Sequence, residues 1–364
     1  MRMAVADVRK ERSEGTFGRN ETLMSRISAL LFSMAGLIIG TTAMAHAAAT
    51  LDRIKAAGSL PCGINIEEPE YSTQDAHGNH MVFDVDICKA VAVAVLGPNA
   101  KFTVKSFRDE QDALKALKSG EIALLATGSP NLLNTANTGL GFARPIFYDY
   151  QAFFVNRTMG IASPKDLAGK KVCFLGGTEI ETQLTSYMQR EKIKWLPFPF
   201  QEEGEMEAAL VTRNCAAITA DVSQLGYERL GFKGVAKNFE ILPDVIAKDP
   251  LAPAYTLDDP QFAAIVNWTV EALIQAEESG VTQENLAEMK KSDDEVIRRL
   301  LGVHRGYGQF VGLDDAWAAR VIEAVGNYGE MFERDLGSGS VMKLARGANN
   351  LWTQGGLMYA LPMR

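Results

Sequence analysis

The sequence predicts an α/β protein of two lobes that are built on mostly parallel sheets. Short apolar runs alternate with segments whose apolar residues recur at helical spacing, and this alternation is typical of parallel α/β architecture. The alternating units fall into two blocks, residues 50–155 and 157–247, and the chain after them is mainly helical in pattern. At 364 residues the chain is long enough to form two domains. A cleft between two lobes is the expected place for a ligand.

The first block begins with a strand and a long helix. The apolar run Leu60–Ile66 predicts the strand, and Phe83–Leu96 predicts the helix, with Asp84 placed to cap it. The remaining predicted elements are a strand near Phe102–Phe107, a helix over Gln111–Lys118 and a strand at Ile122–Ala126. This alternation of strands and helices indicates a β-α-β-α-β unit.

The second block repeats the alternation. Its predicted elements are the strand Val172–Leu175, a helix from the Gly176-Gly177-Thr178 turn to about Arg190, a helix over Glu205–Val211 and the strand Ala216–Ala220. The apolar segments Gln151–Val155 and Ala252–Thr256 bound the block, as expected if the chain crosses twice between lobes. We therefore assign residues 48–155 and 248–364 to lobe 1, which includes a carboxyl-terminal extension, and residues 156–247 to lobe 2.

The amino terminus has the pattern of a cleavable signal peptide. Arg26 precedes the apolar run Ile27–Ile39, and the small residues Ala45-His46-Ala47 follow it. The run has about 13 residues, fewer than the roughly 20 that a helix needs to cross a bilayer, which disfavours a permanent anchor. We predict that residues 1–47 are removed on export and that translation starts at Met24.

Four cysteines follow the predicted signal peptide, namely Cys62, Cys88, Cys173 and Cys215. An even number of cysteines in an exported chain favours disulfide bonds, and three pairings are possible. Because the first two cysteines fall in one predicted lobe and the last two in the other, we favour Cys62–Cys88 and Cys173–Cys215. The sequence has neither C-x-x-C nor Cys/His clustering after the signal peptide, so we expect no metal and no cofactor.

The charge and the motifs disfavour two classes of function. The net charge is −8, and removal of residues 1–47, which hold six basic and four acidic residues, makes it −10. This acidity disfavours nucleic acid as a partner. The sequence has no G-x-S-x-G, no Cys/His nucleophile arrangement and no H-E-x-x-H, so nothing in it indicates an enzyme.

Several short motifs, in their order and spacing, carry a family resemblance. They are Phe83–Ile87, Ala116–Ile122, Gly177-Thr178, Asn327–Arg334, Leu344–Gly347, Leu351-Trp352 and Gly355–Leu357. The first three resemble the polar amino-acid solute-binding proteins of ABC importers, which are extracellular solute-binding proteins of family 3. The later motifs resemble the long tail of the general L-amino-acid-binding subgroup. The resemblance extends from about Thr50 to Arg364.

The resemblance implies a periplasmic binding protein-like fold of type II, with two α/β lobes, a hinge and a helical carboxyl-terminal extension. It implies a monomer in the periplasm that closes around one small amine-bearing ligand and delivers it to an ABC permease in the inner membrane. An orphan or partner-binding protein with a degenerate ligand site is one alternative. An enzyme of this fold, a dehydratase or a lyase, is another.

The resemblance also implies roles for individual residues. Asp221 matches the aspartate that holds the ligand's α-ammonium, since a buried ammonium needs a carboxylate partner; alternatively it caps the helix that begins at Ser223. Tyr71 matches an aromatic residue that covers the ligand, or it is a loop residue that faces solvent. Thr178 opens a helix whose unpaired N–H groups and dipole suit a carboxylate, although capping alone also explains a threonine there.

In the first lobe, Thr127 and Ser129 match positions that offer hydroxyl or amide groups to the ligand, or they are simple turn residues. The family normally has an arginine a few residues later, where its planar fork grips the ligand's carboxylate, but Asn134 stands there. Arg144 is the next basic residue, in a turn that we expect to face solvent. Glu179 stands beside Thr178, where it could fill the amino end of the helix or remain a solvated surface charge.

These departures suggest that amine recognition is kept and α-carboxylate recognition is weakened. A lost charged hydrogen bond costs about 1.5–3 kcal/mol, so affinity for ordinary amino acids should fall at least about tenfold. The expected ligand is an amine or cation without a free α-carboxylate, or an amino acid in an altered pose.

Overall fold

The computed structural model describes residues 49–65, 73–74, 80–232 and 236–364. The predicted signal peptide and Tyr71 lie outside these residues. The first strands and helices in the described chain are β1 (Ser59–Asn65), β2 (Thr73–Gln74), β3 (His80–Met81), β4 (Lys101–Phe107), β5 (Leu124–Gly128), β6 (Leu140–Phe142), α1 (Thr50–Ala57), α2 (Phe83–Leu96), α3 (Glu110–Ser119) and α4 (Leu132–Thr135). Helix α2 has the predicted bounds.

The middle of the chain supplies two long strands and a second group of shorter elements. They are β7 (Phe147–Asn156), β8 (Lys171–Leu175), β9 (Leu196–Phe200), β10 (Ala217–Asp221), β11 (Phe239–Ile241), β12 (Ala247–Thr256), α5 (Glu179–Arg190), α6 (Glu203–Val211) and α7 (Val222–Gly231). Each predicted element of this block therefore forms, with bounds that differ by one or two residues.

The strands follow the order β4-β1-β5-β12-β7-β10-β8-β9. The two sides of the sheet, which we call its first and second flank, are parallel. In the first flank β1 pairs with β4 and β5, and in the second flank β8 pairs with β9 and β10. The long strands β7 and β12 pair antiparallel with each other and with the flanks. The prediction of mostly parallel sheet therefore holds only for the flanks. The chain returns between the two flanks directly along these strands rather than through a helical crossover, which makes the centre antiparallel.

Five helices follow β12 and cover the first flank. They are α8 (Pro260–Glu278), α9 (Leu286–Met289), α10 (Glu295–Leu300), α11 (Trp317–Val325) and α12 (Tyr328–Asp335). Helices α8 and α11 pack on α2, whose small and β-branched side chains are buried on nearly every face. None of the helices in the described residues combines the length and the apolar character that crossing a membrane requires.

Two disulfides each join a strand of the sheet to a neighbouring segment. Cys62 of β1 bonds Cys88 of α2, and Cys173 of β8 bonds Cys215, which lies just before β10. All four cysteines are fully buried. The predicted pairing is confirmed, and each bond closes a loop within one flank of the sheet, which limits the conformations of the unfolded chain.

Candidate functional site

A cavity of about 270 Å³ lies where β1 and β5 end, against the amino end of α7. Its polar lining side chains are Asn65, Asp84, Arg108, Glu110, Thr127, Ser129, Ser223 and Tyr227. The carboxyl ends of parallel strands are the usual place for ligands in open α/β sheets. The cavity also joins the two flanks, because α7 follows β10 whereas the other residues belong to the first flank.

Thr127 contacts a buried carboxylate on the floor of the cavity. Its hydroxyl is buried and donates to Asp84 Oδ2 at 2.6 Å. Asp84 also accepts the backbone N–H of Asn65, and burial raises its pKa to about 6. Helix α2 begins after Val82, and no side chain caps it. The prediction that Asp84 caps this helix was wrong, because its carboxylate is turned towards Thr127 and Asn65 instead.

Ser129 and Asn134 are held by Glu110, the first residue of α3. Glu110 Oε1 accepts the Ser129 N–H at 2.5 Å, and Oε2 accepts Asn134 Nδ2 at 3.2 Å. The same Nδ2 donates to Ser129 O at 3.0 Å, and Gln111 Nε2 donates to Asn134 Oδ1 at 3.3 Å. Asn134 is only 4% exposed. Protein groups therefore occupy both ends of its amide.

Three aspartates gather where the two long strands meet. Asp149 of β7 and Asp249 of β12 stand directly opposite each other in the antiparallel register. Asp221 ends β10 opposite Gln151, two residues along β7 from Asp149. Residues opposite each other in such a pair point to the same face of the sheet, with Cβ atoms about 4.5–5.5 Å apart. The three carboxylates therefore share one face.

Burial raises the pKa of all three carboxyl groups, and the charge of a neighbouring aspartate adds to the shift of Asp221 and Asp149. Burial, with a contribution from the charges of Asp149 and Asp249, raises the pKa of Asp221 to about 7. Burial raises that of Asp149 to about 6, although the hydroxyl of Ser223 donates to it. Burial and the charge of Glu110 raise the pKa of Asp249, which accepts the Ser129 hydroxyl. The cluster is thus short of positive charge.

Asp221 occupies the N-cap position of α7, but its side chain makes no capping hydrogen bond. Asp149 takes that function in part, because it accepts the Ser223 N–H at 3.3 Å. Capping alone therefore does not explain the aspartate at this position. Its carboxylate is not committed to the helix cap.

Gln151 stands opposite Asp221 in the pairing of β7 and β10, and it is a buried polar residue that the sequence did not single out. Its Nε2 donates to Ile180 O at 3.1 Å and to Thr219 Oγ1 at 3.0 Å. The residue is 1% exposed, and its Oε1 is buried without a hydrogen-bond partner. It begins the apolar segment Gln151–Val155, so the sequence gives no signal for a role of its polar side chain.

Comparison with known proteins places the chain in a family. It is 41% identical over 90% of its length to the general L-amino acid-binding periplasmic protein AapJ of Rhizobium johnstonii, 96% of which is covered. It is 38% identical over 91% of its length to the glutamate/glutamine/aspartate/asparagine-binding protein BztA of Rhodobacter capsulatus, 97% of which is covered. The chain belongs to the periplasmic binding proteins of amino-acid ABC transporters.

A solved structure supports the fold of this binding protein. An ABC transporter periplasmic binding protein from Brucella ovis, with glutathione bound, superposes with a TM-score of 0.76 and 38% identity, covering 87% of this chain and all of that one. The predicted type II periplasmic binding protein fold with carboxyl-terminal helices is confirmed. A family model described as NMT1/THI5 like also matches residues 101–239, which is less than half of the chain.

At the amino end of α5 in this binding protein the carboxylate is that of Glu181, and Glu179 matches the alternative of an exposed surface charge. Glu181 accepts the Gly177 N–H at 2.7 Å, whereas Glu179 is exposed and accepts a bond from Gln183. Thr178 is the N-cap residue, but its hydroxyl donates to Leu175 O at 2.7 Å and makes no capping bond. The helix amino end thus already has a carboxylate, which comes from the third residue after Thr178.

Two arginines of the first flank differ in their surroundings. Arg144 does not face solvent as predicted, because it pairs with the buried Glu271 at 3.0 Å and donates to Tyr359 O of the extension. Arg108 is exposed and lines the cavity. The sequence gives no signal for this role, because Arg108 lies far along the chain from the turn where the family has its arginine.

Proposed function

We propose that this protein is the exported receptor of an amino-acid-type ABC importer and that it holds a small amine-bearing solute in the cleft between its two flanks. Residues 1–47 direct export and are removed. Residues 156–247 close as one lobe against residues 48–155 and 248–364, and the closed monomer delivers its ligand to an inner-membrane permease. The names of AapJ and BztA, which are binding proteins for amino acids, support this class.

One observation carries the amine part of the proposal, namely the shared face of Asp149, Asp221 and Asp249. Like charges directly opposite each other destabilise a sheet, and buried charges need partners. A cationic amine between these carboxylates would relieve the repulsion and gain charged hydrogen bonds, each contributing about 1.5–3 kcal/mol. Asp221 is the principal partner because its carboxylate is not committed to a helix cap.

The carboxylate half of an ordinary amino acid has a poorer site. Asn134 replaces the expected arginine and is bonded to Glu110 and Ser129, while Glu181 occupies the amino end of α5. The preferred solute therefore lacks a free α-carboxylate or binds in an altered pose. A second candidate is an amino acid or a short peptide whose carboxylate pairs with Arg108, which lines the cavity. Glutathione, which the Brucella ovis protein binds, belongs in the test panel for this reason.

The test combines identification and affinity. Mass spectrometry of the molecule released on denaturing the purified protein identifies the solute. Titration calorimetry then measures the affinity for this solute of wild type, Asp221→Asn, Arg108→Gln and the control Glu121→Gln. Glu121 is exposed and pairs with Lys105 away from the cavity. We expect Asp221→Asn to weaken binding at least about tenfold, the loss of one charged hydrogen bond, with little effect of the other two.

The outcomes separate the two candidates. Loss of binding in Arg108→Gln together with micromolar affinity for L-amino acids would favour the second candidate. Full affinity in Asp221→Asn would refute the amine site itself.

A further inference from the structure

The carboxyl-terminal extension begins beside the cavity, directly after α12. Its first segment, residues 336–344, forms a loop that is closed by a hydrogen bond from the Leu344 N–H to Leu336 O at 2.8 Å. Leu336 also lines the cavity. The start of the extension is therefore part of the wall of the candidate ligand site.

The loop 336–344 packs on helix α7 of the second flank. Arg229 of α7 donates to Met342 O, and both Met342 and Leu344 are buried. A Cβ placed on Gly226 of α7 would lie 3.0 Å from the Met342 side chain and 3.1 Å from that of Leu344, so the glycine allows a close fit. Helix α7 follows β10 and contributes two side chains to the lining of the cavity. The loop thus contacts the helix that brings the second flank to the cavity.

The chain beyond this loop is anchored to the helices that cover the first flank. Arg346 bonds both carboxylate oxygens of Glu277 of α8, at 2.9 and 3.1 Å, and its guanidinium lies 5.0 Å from the ring centroid of Phe332 of α12. Such a two-point pair fixes geometry as well as adding energy. Near the end of the chain, the Leu361 N–H donates to Glu271 of α8 at 2.7 Å. The extension therefore holds α7 from a fixed base on the first flank.

Asn349 of the extension also holds the pair of long strands that joins the flanks. Its Oδ1 accepts the Tyr148 N–H of β7 at 2.7 Å, and its Nδ2 donates to Tyr148 O at 3.3 Å. Pro250 of β12 stands opposite Tyr148 and has no N–H to offer. The next residue, Asp149, accepts the hydroxyl of Ser223 at the start of α7. Asn349 therefore acts on the strand to which α7 is bonded.

We propose that residues 336–349 form a strap that holds α7 against the first flank and limits how far the cleft opens without ligand. This inference rests on the proposed function, because it takes the two flanks as lobes that close on a ligand. If the second flank swings away about β7 and β12, the bond from Arg229 to Met342 O breaks and buried apolar surface of the loop is exposed. Apparent affinity is proportional to the population of the binding-competent conformation. The strap therefore raises affinity by holding the flanks together.

The test places a wedge between α7 and the strap. Gly226→Leu puts a side chain into the tight contact, whereas the control Gly231→Leu makes the same change at the exposed end of α7, where a Cβ meets nothing within 4 Å. The readout is the distance between spin labels on ligand-free mature protein, carried by Lys118→Cys of α3 and Gln189→Cys of α5, both exposed positions. We expect Gly226→Leu to lengthen or broaden this distance distribution and Gly231→Leu to leave it unchanged.

Affinity is measured on the same variants with L-glutamine and with glutathione as probes. Gly226→Leu should weaken binding at least about threefold, with faster dissociation, because the closed population falls. Adding Met342→Ala to Gly226→Leu makes room for the new side chain. Since the two side chains compete for one space, the double variant should recover both the label distance and the affinity, which a general effect of leucine on the helix would not do.

The outcomes separate failure of the strap from failure of the proposed function. Equal label distances in wild type, Gly226→Leu and Gly231→Leu would overturn the strap, even if Gly226→Leu unfolds at a lower urea concentration. If circular dichroism shows that Gly226→Leu does not fold, Asn349→Ala decides, because it frees Tyr148 and leaves α7 intact; an unchanged distance distribution would then overturn the strap. The label distances need no ligand, so lack of binding of both probes by wild type would count against the proposed function alone.

Discussion

At the scale of single residues, the sequence indicated which turn lies at the cavity but not which groups its residues contact. Thr127, Ser129 and Asn134 do lie beside the cavity or next to its lining residues, because a short turn after a buried strand fixes their place. The partners of these residues could not be read from sequence. Glu110 comes from a different helix, and its carboxylate decides which groups of Ser129 and Asn134 are still available.

Asn134→Arg illustrates the consequence. From sequence alone this change would restore carboxylate recognition, but the structure leads to a different expectation. The new guanidinium would lie against Glu110 and pair with it, while the buried bonds of Asn134 to Ser129 and Gln111 would be lost. We expect a fall of about 1–3 kcal/mol in the free energy of unfolding, because buried polar groups lose partners, and less than a threefold gain in affinity for L-amino acids.

Urea unfolding and calorimetry on the same preparations check the Asn134 variant. Asn134→Ala serves as the comparison, since it removes the same bonds without adding a charge. A gain of tenfold or more for glutamine or another neutral L-amino acid would show that Glu110 does not hold the new arginine.

At the scale of elements, periodicity and turn signals predicted the bounds of helices and strands, which depend on local sequence. Helix α2 has the predicted bounds because its apolar spacing and the Gly97-Pro98 stop are local signals. The antiparallel centre was not predicted, since no local pattern in β7 or β12 states which strand will lie beside it. The pairing of Asp149 with Asp249 depends on that centre. The acidic cluster could therefore not be predicted from the sequence.

Helix α5 offers a prediction in which two neighbouring glutamates behave differently. Removing the Glu181 side chain in Glu181→Ala frees the Gly177 N–H and takes a negative charge from the helix amino end. That end attracts anions, with a contribution of about 0.3–1 kcal/mol. We expect affinity for carboxylate-bearing solutes, such as glutathione or L-glutamine, to rise about two- to fivefold at low salt and less at high salt.

The matched control for this prediction is Glu179→Ala, two residues before Glu181. Glu179 is exposed and bonds Gln183 rather than the helix amino end, so its removal should change affinity by less than Glu181→Ala does. Calorimetry at two salt concentrations measures both variants. An equal gain in the two would mean that net charge, and not the occupied N–H group, controls anion binding.

At the scale of the whole molecule, the carboxyl-terminal extension contacts both flanks. Arg334 of α12 pairs with Asp86 of α2 on one side. On the other side, Arg229 of α7 donates to Met342 O, and a Cβ placed on Gly226 would lie 3.0 Å from the Met342 side chain and 3.1 Å from that of Leu344. The side chain of α7 nearest the extension therefore has to be small. The extension links α7, the helix that follows Asp221, to the helices of the first flank. Movement of α7 on ligand binding would therefore be transmitted to the extension.

The acidic residues also make the stability of the whole molecule depend on pH. Asp84 and Asp149 have pKa values of about 6 and Asp221 of about 7, mainly through burial, against about 3.9 for an aspartate in an unfolded chain. Groups whose pKa is raised in the folded state stabilise it below the unfolded pKa, and this contribution is lost as pH rises through the folded values. The unliganded protein should thus lose stability between about pH 4 and pH 7, as these buried carboxyl groups ionise.

Binding should show the opposite trend. An amine ligand stays protonated throughout this range, as lysine does with a pKa near 10.4, and it pairs only with ionised carboxylates. Its affinity should therefore rise at least about tenfold from pH 5.5 to pH 7.5, with release of protons into the buffer. Calorimetry in buffers of different ionisation enthalpy measures that release, and Asp221→Asn should flatten the profile because it removes the group with the pKa of about 7. A pH-independent affinity in wild type would mean that the ligand's positive charge does not meet the cluster of Asp149, Asp221 and Asp249.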